Sequence, residues 1–245
     1  MLNLVFPQLS SGALAQYPIR VTKFVRTVVD SLDDGSQILY YDPDGGLLQW
    51  QLSYLGISPD EAAALQSLFD ACGGRFRAFT FLDPAANLLS SAWQIPSSIQ
   101  ATGSIYTNTA SAAQEISQTL PVPAGYYYCF SLVAAAAGPG AVTMIRRGAS
   151  SEARDTFAVT GGRLVSAGVL SDAGTQFTVA IELQPGQRLD LGQMQLEAQL
   201  SPSPYRAATT QGGVYTSAHW AVDELLFTAE GPASFSTKLT IEAHV

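Results

Sequence analysis

The fold is decided by residues 58–84, which read SPDEAAALQSLFDACGGRFRAFTFLDP. Ser58 and Glu61 form a Ser-x-x-Glu capping box, and Pro59 suits the first position of a helix. An apolar stripe follows at the spacing i, i+3, i+4 and i+7, formed by Leu65, Leu68, Phe69 and Cys72. This pattern predicts a helix of about four turns that buries one face.

The same stretch predicts where the helix ends and where a strand begins. Gly73-Gly74 supplies the left-handed residue that closes many helices. Residues 76–83 then place apolar side chains at both the odd and the even positions. Such a strand is typical of a sheet covered on both faces, so the sequence predicts a helix-to-strand unit inside a layered core.

Composition narrows the class of protein. The chain has 245 residues, of which 47% are hydrophobic and only 13% are charged, and its formal net charge is -8. The balance predicts a folded chain with extensive burial, including burial against other subunits, and the negative charge argues against nucleic-acid binding through a basic surface. Residues 1–17 lack the basic start of a secretion signal, and the longest apolar run, 126–137, is too short to span a bilayer. We therefore expect a soluble protein that inserts into no membrane.

The regions at the two ends of the chain read as parts of one β-rich layer. The first has strand candidates at 19–29, 36–42 and 47–54. Asp33-Asp34-Gly35 and the run from Asp42 to Gly46 are typical of tight reversals, so each is predicted to separate two strands. Residues 205–245 hold two more candidates, 220–228 and 235–243, which are too few for a core of their own. We expect them to complete the sheet of the first region.

Between these regions the composition changes to Ser, Thr, Ala and Gly, with short strands at regular spacing. The candidates are 98–106, 113–119, 126–135, 141–147, 154–159, 163–169, 175–183 and 189–197. This spacing indicates a β-sandwich or jelly roll. The predicted fold class is therefore mainly β: a β-rich domain with one α-helix, formed by 1–86 and 205–245, with an inserted β-sandwich (jelly roll) over 87–204.

One group of motifs resembles a known family of tail proteins. Residues 6–18, FPQLSSGALAQYP, resemble the opening of tail proteins from long-tailed phages and related gene-transfer particles. The pattern of residues 57–70, with Gly74, Phe79-Thr80-Phe81 and Asp83-Pro84, is similar to the helix and strand of their distal tail or minor tail ring proteins. This resemblance covers residues 1–86 and, more weakly, 209–245.

A second resemblance lies in residues 192–197, GQMQLE, and 201–205, SPSPY. These residues resemble the closing strand and exit of the carbohydrate-binding-module-like jelly rolls found in phage tail and baseplate proteins. Asn87-Leu88-Leu89 and Trp93 resemble the beginning of the same domains. The two signatures bracket one inserted domain.

The first resemblance implies a structural virion protein of a phage tail. Members of that family form rings, commonly hexamers, at the distal end of the tail tube and connect it to the tail tip or baseplate. The implied partners are identical subunits, the tail tube and tip or hub proteins, with assembly in the host bacterial cytoplasm. A ring subunit buries two different faces against its neighbours, which suits a chain with few charges.

A different class of function stays open beside this one. In the alternative, the jelly roll is a carbohydrate- or receptor-binding module of the tail that recognises a host surface glycan. Flat aromatic rings stack well on sugars, and Trp93 and Tyr127 are the first candidates for such a site. Strand alternation sends Tyr126, Tyr128 and Phe130 to one face and Tyr127 to the other, so at least one set is expected in the sandwich core.

For the ring hypothesis, the candidate interface residues lie on the first long strand and in the predicted second reversal. Arg20, Lys23 and Arg26 cluster in a chain with only 12 Lys and Arg. They either pair with acidic groups of a neighbouring subunit or form a solvated face that protects a sheet edge. Asp42, Asp44 and Gly45 are the other candidates.

Catalysis, a cofactor and a metal centre are not expected. Of the two histidines, His219 has an acid nearby in Asp223, but no nucleophile-elbow motif accompanies them. Asp42-Pro43-Asp44-Gly45 lacks the later ligands of a calcium loop, so turn chemistry is the better interpretation, although a structural calcium elsewhere in the jelly roll stays open. Cys72 and Cys129 are interpreted as buried thiols rather than a disulfide.

Overall fold

The structure is a computed structural model that describes residues 4–136 and 140–245. Its strands, numbered in chain order, are β1 (Arg20–Ser31), β2 (Gln37–Ile57), β3 (Phe79–Leu82), β4 (Ile99–Thr102), β5 (Ile105–Asn108), β6 (Gln114–Leu120), β7 (Tyr128–Ala136), β8 (Ala141–Arg147), β9 (Glu152–Ala158), β10 (Arg163–Gly168), β11 (Phe177–Leu183), β12 (Arg188–Glu197), β13 (Val214–Trp220), β14 (Phe227–Gly231) and β15 (Ser234–His244). Helix α1 spans Pro59–Cys72. Among the described residues, no helix is both long and apolar enough to cross a membrane. The predicted mainly-β class is confirmed.

The chain forms two compact units. Unit 1 contains Met1–Pro7, Ala15–Phe81 and Tyr215–Val245, and unit 2 contains Gln8–Leu14 and Leu82–Val214. Unit 1 holds a sheet in the order β1-β2-β15-β13-β3, with β14 paired to β15. Its core is aromatic, since Trp50 and Trp220 are almost wholly buried and Phe6 packs edge to face on Phe81 at 5.4 Å between ring centroids.

Helix α1 forms as its sequence predicts. Ser58 Oγ accepts a hydrogen bond from the Glu61 amide at 3.2 Å, and the Ser58 amide donates to Glu61 Oε2 at 2.8 Å, which completes the capping box. Gly73 closes the helix in the left-handed conformation at φ 63°. The predicted stripe faces the core: Leu65, Leu68 and Cys72 are buried, and the half-buried Phe69 packs on Trp220.

The strand predicted from Phe76 begins three residues later, at Phe79. Gly74–Phe76 instead forms a short 3-10 turn, and Phe76 is 82% exposed. The cause is a contact far away in sequence: Asp223 Oδ1 accepts a hydrogen bond from the Arg75 amide at 2.8 Å and lies where a Cβ of residue 74 would be. Because no local pattern reveals Asp223 as a partner, the prediction for 76–78 was wrong.

Two further strand predictions were wrong. Residues 42–46 make no reversal; β2 runs through them, and the chain reverses once, after β1. The strand predicted over 220–228 is replaced by β13, which ends at Trp220, and β14, which begins at Phe227. The bond from Asp223 to the 3-10 turn accounts for this break.

Unit 2 is a β-sandwich. One sheet has the order β10-β7-β12-β5-β4 and the other β6-β11-β8-β9, all with antiparallel pairs. The strand predicted over 98–106 is a hairpin of two strands, because Gly103 turns the chain at φ 60°. Between the sheets, Tyr128 stacks on Phe177 at 4.1 Å.

Candidate functional site

The most unusual surface of unit 1 is a two-stranded projection, named here the hairpin arm and defined as residues 26–42. β1 and β2 pair along it from Arg26↔Asp42 to Ser31↔Gln37. Its turn is held by Asp34, whose Oδ1 accepts hydrogen bonds from the amide and hydroxyl of Ser36 at 2.8 and 2.6 Å. These bonds lower the pKa of the Asp34 carboxyl.

The hairpin arm exposes apolar side chains on both faces. Val28, Ile38 and Tyr40 lie on one face, whereas Val29, Leu39 and Tyr41 lie on the other, and all are exposed. Leu39 is 64% and Tyr41 69% exposed. The third strand of the sheet does not extend here, since the pairing of β15 with β2 ends at His244↔Leu47. An isolated hairpin is marginal in water, and contiguous exposed apolar surface of this kind is uncommon on a monomer.

The basic candidates of β1 do not form one cluster. Arg20 pairs in register with Gln51 and Lys23 with Leu48, and their separation of three residues places them on opposite faces of the strand. Arg26 contacts Asp42 across the hairpin, with Nη1 and Oδ2 3.7 Å apart. The Arg26 side chain is exposed and that of Asp42 is only half-buried, so solvent screens the pair and it contributes little to stability.

Asp42 and Gly45 lie at the base of the hairpin arm. Here one residue of β1, Val25, stands opposite the four residues between Asp42 and Leu47. A Cβ at Gly45 would come within 2.5 Å of the Arg26 Cβ, so close approach of the two strands requires glycine. The side chain of Asp44 lies outside the described part of the structure.

In unit 2, the side chain of Gln8 holds the backbone of Tyr127, one of the two candidates for a glycan site. Gln8 Oε1 accepts from the Tyr127 amide at 2.8 Å, and Gln8 Nε2 donates to the Tyr127 carbonyl at 3.0 Å. The residue remains 36% exposed. A Cβ at Gly12 would lie 3.2 Å from Cγ of the tyrosine ring, so the ring lies close to this turn.

The other candidate, Trp93, has different surroundings. It is half-buried, and its ring lies 6.5 Å from that of Phe130, which is fully buried. Tyr128 and Tyr106 are buried as well, so most aromatic side chains of this region belong to the core. Among the ring contacts of the described residues, none joins Trp93 to Tyr127.

His219 helps to hold a turn, and the two cysteines are part of the packed interior. His219 Nδ1 lies 3.1 Å from the Arg75 carbonyl, so His219 and Asp223 hold the same 3-10 turn. Cys72 and Cys129 are both free and buried, which confirms the interpretation as buried thiols. Burial, together with the charge of Glu197, raises the pKa of Cys129 to about 12.

Sequence reasoning missed a network of charges on the outward face of the sheet β6-β11-β8-β9. The network joins all four strands of this sheet. Its members are Glu115, Arg147, Glu152, Arg154 and Glu182. Only Glu152 and Arg154 of β9 show the alternate spacing of one strand face in the sequence. In the part of the chain that the structure describes, no group of three or more His, Cys, Asp or Glu side chains is placed to hold a metal ion.

Sequence reasoning also missed Asp172, which fixes a loop of unit 2. Its Oδ2 accepts from the amides of Ser150 and Ser151 at 2.7 and 3.0 Å, and its Oδ1 accepts from the Gly174 amide at 2.6 Å. A Cβ at Gly148 would lie 2.4 Å from Oδ2, so the loop passes too close for another residue. The amides of Ser150 and Gly174 lower the pKa of Asp172 from 3.8 to about 2.

We expect Asp172 to make unit 2 sensitive to acid. Because the folded pKa is lower than the unfolded one, the contribution of Asp172 to stability is full above about pH 4 and disappears as the pH falls toward 2. Thermal melts at a series of pH values should therefore show wild type and Asp172→Asn separated near neutral pH and converging below pH 4. Asp190→Asn, at an exposed position of the same unit, is the control. A constant separation down to pH 2 would contradict the role of the ionised carboxylate.

Comparison with known proteins gives a partial structural similarity. No protein-family model matches the chain, and no curated protein matches it. Part of the chain is similar to the solved structure of TmCBM61 in complex with β-1,4-galactotriose, with 14% sequence identity and a TM-score of 0.30. The match covers 45% of this chain and 97% of that one.

Proposed function

We propose that the chain is a structural subunit of a phage-type tail, which assembles with copies of itself into a ring at the distal end of the tail tube. The observation that carries this proposal is the hairpin arm, whose two faces are apolar and uncovered. A monomer rarely exposes such a surface, whereas a subunit covers it on assembly. The motifs of residues 6–18 and 57–84 supply the proposed place in a tail, with the tail tube and the tip or hub proteins as further partners.

Assembly rather than chemistry is the proposed activity. The ring, taken as a hexamer from the family resemblance, would form in the host bacterial cytoplasm and become part of the virion. Unit 2 would then be a sandwich domain carried by the ring subunit. The low fraction of charged residues, 13%, supports a chain that buries much of its surface against neighbours.

The assembly proposal predicts that the hairpin arm controls the mass of the particle in solution. Leu39→Ser with Tyr41→Ser removes two exposed apolar side chains and should weaken self-association about 100-fold or more, because such anchors dominate interface energy. Light scattering coupled to gel filtration measures the mass directly. Val169→Ser in unit 2 is the matched control, since Val169 is exposed but lies outside the arm. A wild-type chain that stays monomeric up to about 100 µM would overturn the proposal.

A second candidate function is recognition of a host glycan by unit 2. The observation in its favour is Tyr127, whose ring is exposed while Gln8 fixes its backbone on both sides. A residue whose backbone is already held loses less entropy when a sugar stacks on its ring. Glycan-array binding should then fall about tenfold or more with Tyr127→Ala and with Trp93→Ala, but not with Tyr205→Ala, another exposed aromatic residue of unit 2. If the wild-type protein binds no glycan on the array, this second proposal is wrong.

A further inference from the structure

Unit 1 also carries a concave surface, named here the outer groove, on the face of the sheet made by alternate residues of β1, β2, β14 and β15. One part is a groove of about 660 Å³ lined by residues that include Arg20, Gln51 and Thr240. The adjoining part is a cleft of about 210 Å³ lined by residues that include Leu55 and Leu226. Ser53 and Lys238 line both parts, so the two are continuous.

The outer groove and the hairpin arm carry opposite charges. Arg20 and Lys238 are exposed in the groove, and its lining includes no acidic residue. The end of the arm, residues 27–41, contains Asp30, Asp33 and Asp34 and no Lys or Arg. All three carboxylates are exposed. Complementary charge of this kind fixes which surfaces meet and in which register.

The two surfaces also match in their apolar parts. At the cleft, Leu55 is 70% and Leu226 66% exposed. On the arm, Leu39 and Tyr41 are exposed to a similar degree. Burial of such side chains against one another removes apolar area from water on both sides of the contact.

The arm of one copy cannot reach the groove of the same copy. β1 runs from Arg20, in the groove, to Ser31, at the end of the arm, and is paired with β2 on both sides of the irregularity at Val25. At the usual rise of a strand, Asp30 lies roughly 30 Å from Arg20. An arm seated in the outer groove must therefore come from another molecule.

We propose that the hairpin arm of one copy docks in the outer groove of the next copy, with Asp33 and Asp34 of its turn near Arg20 and Lys238. This inference rests on the proposed self-assembly and names the surfaces that meet. Arm-to-arm packing is disfavoured, because it would place three aspartates against three others. A contact between two different surfaces leaves one arm and one groove free at each stage, which is the geometry that closes into a ring.

Cysteine cross-linking tests this contact. The native thiols Cys72 and Cys129 are buried, so engineered thiols will be the accessible ones. The double variant Leu39→Cys with Leu55→Cys should give, under mild oxidation, a ladder of covalent oligomers. Leu39→Cys alone and Leu55→Cys alone should give none, since each contact then holds a single thiol.

The possible outcomes separate this inference from the assembly proposal. Covalent dimers from Leu39→Cys alone would show arm-to-arm packing and overturn the inference while leaving self-assembly in place. An assembled double variant that forms no ladder would also overturn it. A monomeric wild type would remove the assembly proposal and the inference together.

Charge reversal gives an independent readout that needs no cross-link. Lys238→Glu should raise the dissociation constant about tenfold or more, and Asp34→Lys in the same chain should restore association. Lys23→Glu is the matched control, because this substitution makes the same charge change on the face of β1 opposite to Arg20. Equal effects of Lys23→Glu and Lys238→Glu, or no rescue by Asp34→Lys, would contradict the proposed contact.

Discussion

Ending the chain after Val214 is expected to unfold unit 1 while the β-sandwich of unit 2 stays folded. The truncation removes β14, β15 and all of β13 but Val214. β15 is an inner strand of the sheet, paired to β2 from Phe235↔Ile57 to His244↔Leu47 and to β13 on its other side. Without it, β2 loses the strand on one of its sides and keeps only β1 as a neighbour.

The aromatic core explains the size of this effect. Trp220 contacts Phe6, Phe69 and Phe79, which come from three separate parts of the first 81 residues. Truncation of a single buried Trp to Ala typically costs about 3–5 kcal/mol. A whole domain is stable by only about 5–15 kcal/mol, so loss of Trp220, Tyr215 and Ile241 together exceeds what unit 1 can tolerate.

Hydrogen exchange with mass spectrometry measures this prediction region by region. In the truncated chain, amides of residues 50–57 and 79–82 should exchange as in an unfolded chain, whereas those of β7 and β11 should stay protected. A chain that ends at His244 is the control, because it loses only one exposed residue. Protection of residues 50–57 in the truncated chain would show that unit 1 has a core of its own without β15.

The parts of the fold that the sequence predicted correctly are those whose cause is local. The capping box of Ser58 and Glu61, the apolar stripe and the Gly73 stop all act within one helix, and all three are confirmed. The turn at Asp34 and Gly35 is local in the same sense, because Asp34 bonds to a residue two positions on. Such features can be read without knowing the rest of the structure.

The errors arise where a distant residue decides the outcome. Asp42 to Gly46 has turn chemistry, yet Gly45 is needed for close contact with Arg26 on the facing strand, and β2 continues. The 3-10 turn at Gly74–Phe76 depends on Asp223, more than a hundred residues later. The candidate surface shows the same limit: the apolar exposure of the arm appears only once the pairing of β15 with β2 is seen to stop at His244↔Leu47.

Asn87→Ala is expected to destabilise unit 2 by about 4 kcal/mol, a large effect for a single substitution. Asn87 is 3% exposed and uses its whole amide. Its Nδ2 donates to the carbonyls of Met194 and Arg206 at 2.8 and 3.2 Å, and its Oδ1 accepts from the amides of Leu89 and Leu196 at 3.1 and 3.0 Å. The side chain thereby joins the beginning of the sandwich to its last strand and its exit.

An irregularity in β12 allows the hydrogen bonds of Asn87 to form. Their loss explains why Asn87→Ala is expected to destabilise unit 2. The register of β12 against β7 shifts between Gly192 and Gln195, and Gln193 adopts a positive φ of 50°. The Met194 carbonyl lies in this irregular stretch, where it accepts from Asn87. In the alanine variant, the buried amides of Leu89 and Leu196 lose their acceptor, and each unsatisfied group costs about 1–3 kcal/mol.

Urea unfolding followed by pulsed hydrogen exchange at β7 and β11 isolates the stability of unit 2. Gln199→Ala is the matched control: its Nε2 donates to Glu197 and to the Ser201 carbonyl close to the same exit, but in a more exposed place, so it should cost less than about 1 kcal/mol. If Asn87→Ala costs no more than Gln199→Ala, water must reach the amides of Leu89 and Leu196. The Asn-Leu-Leu segment and the Gln-Leu-Glu strand would then be neighbours in the fold rather than a joint on which the sandwich depends.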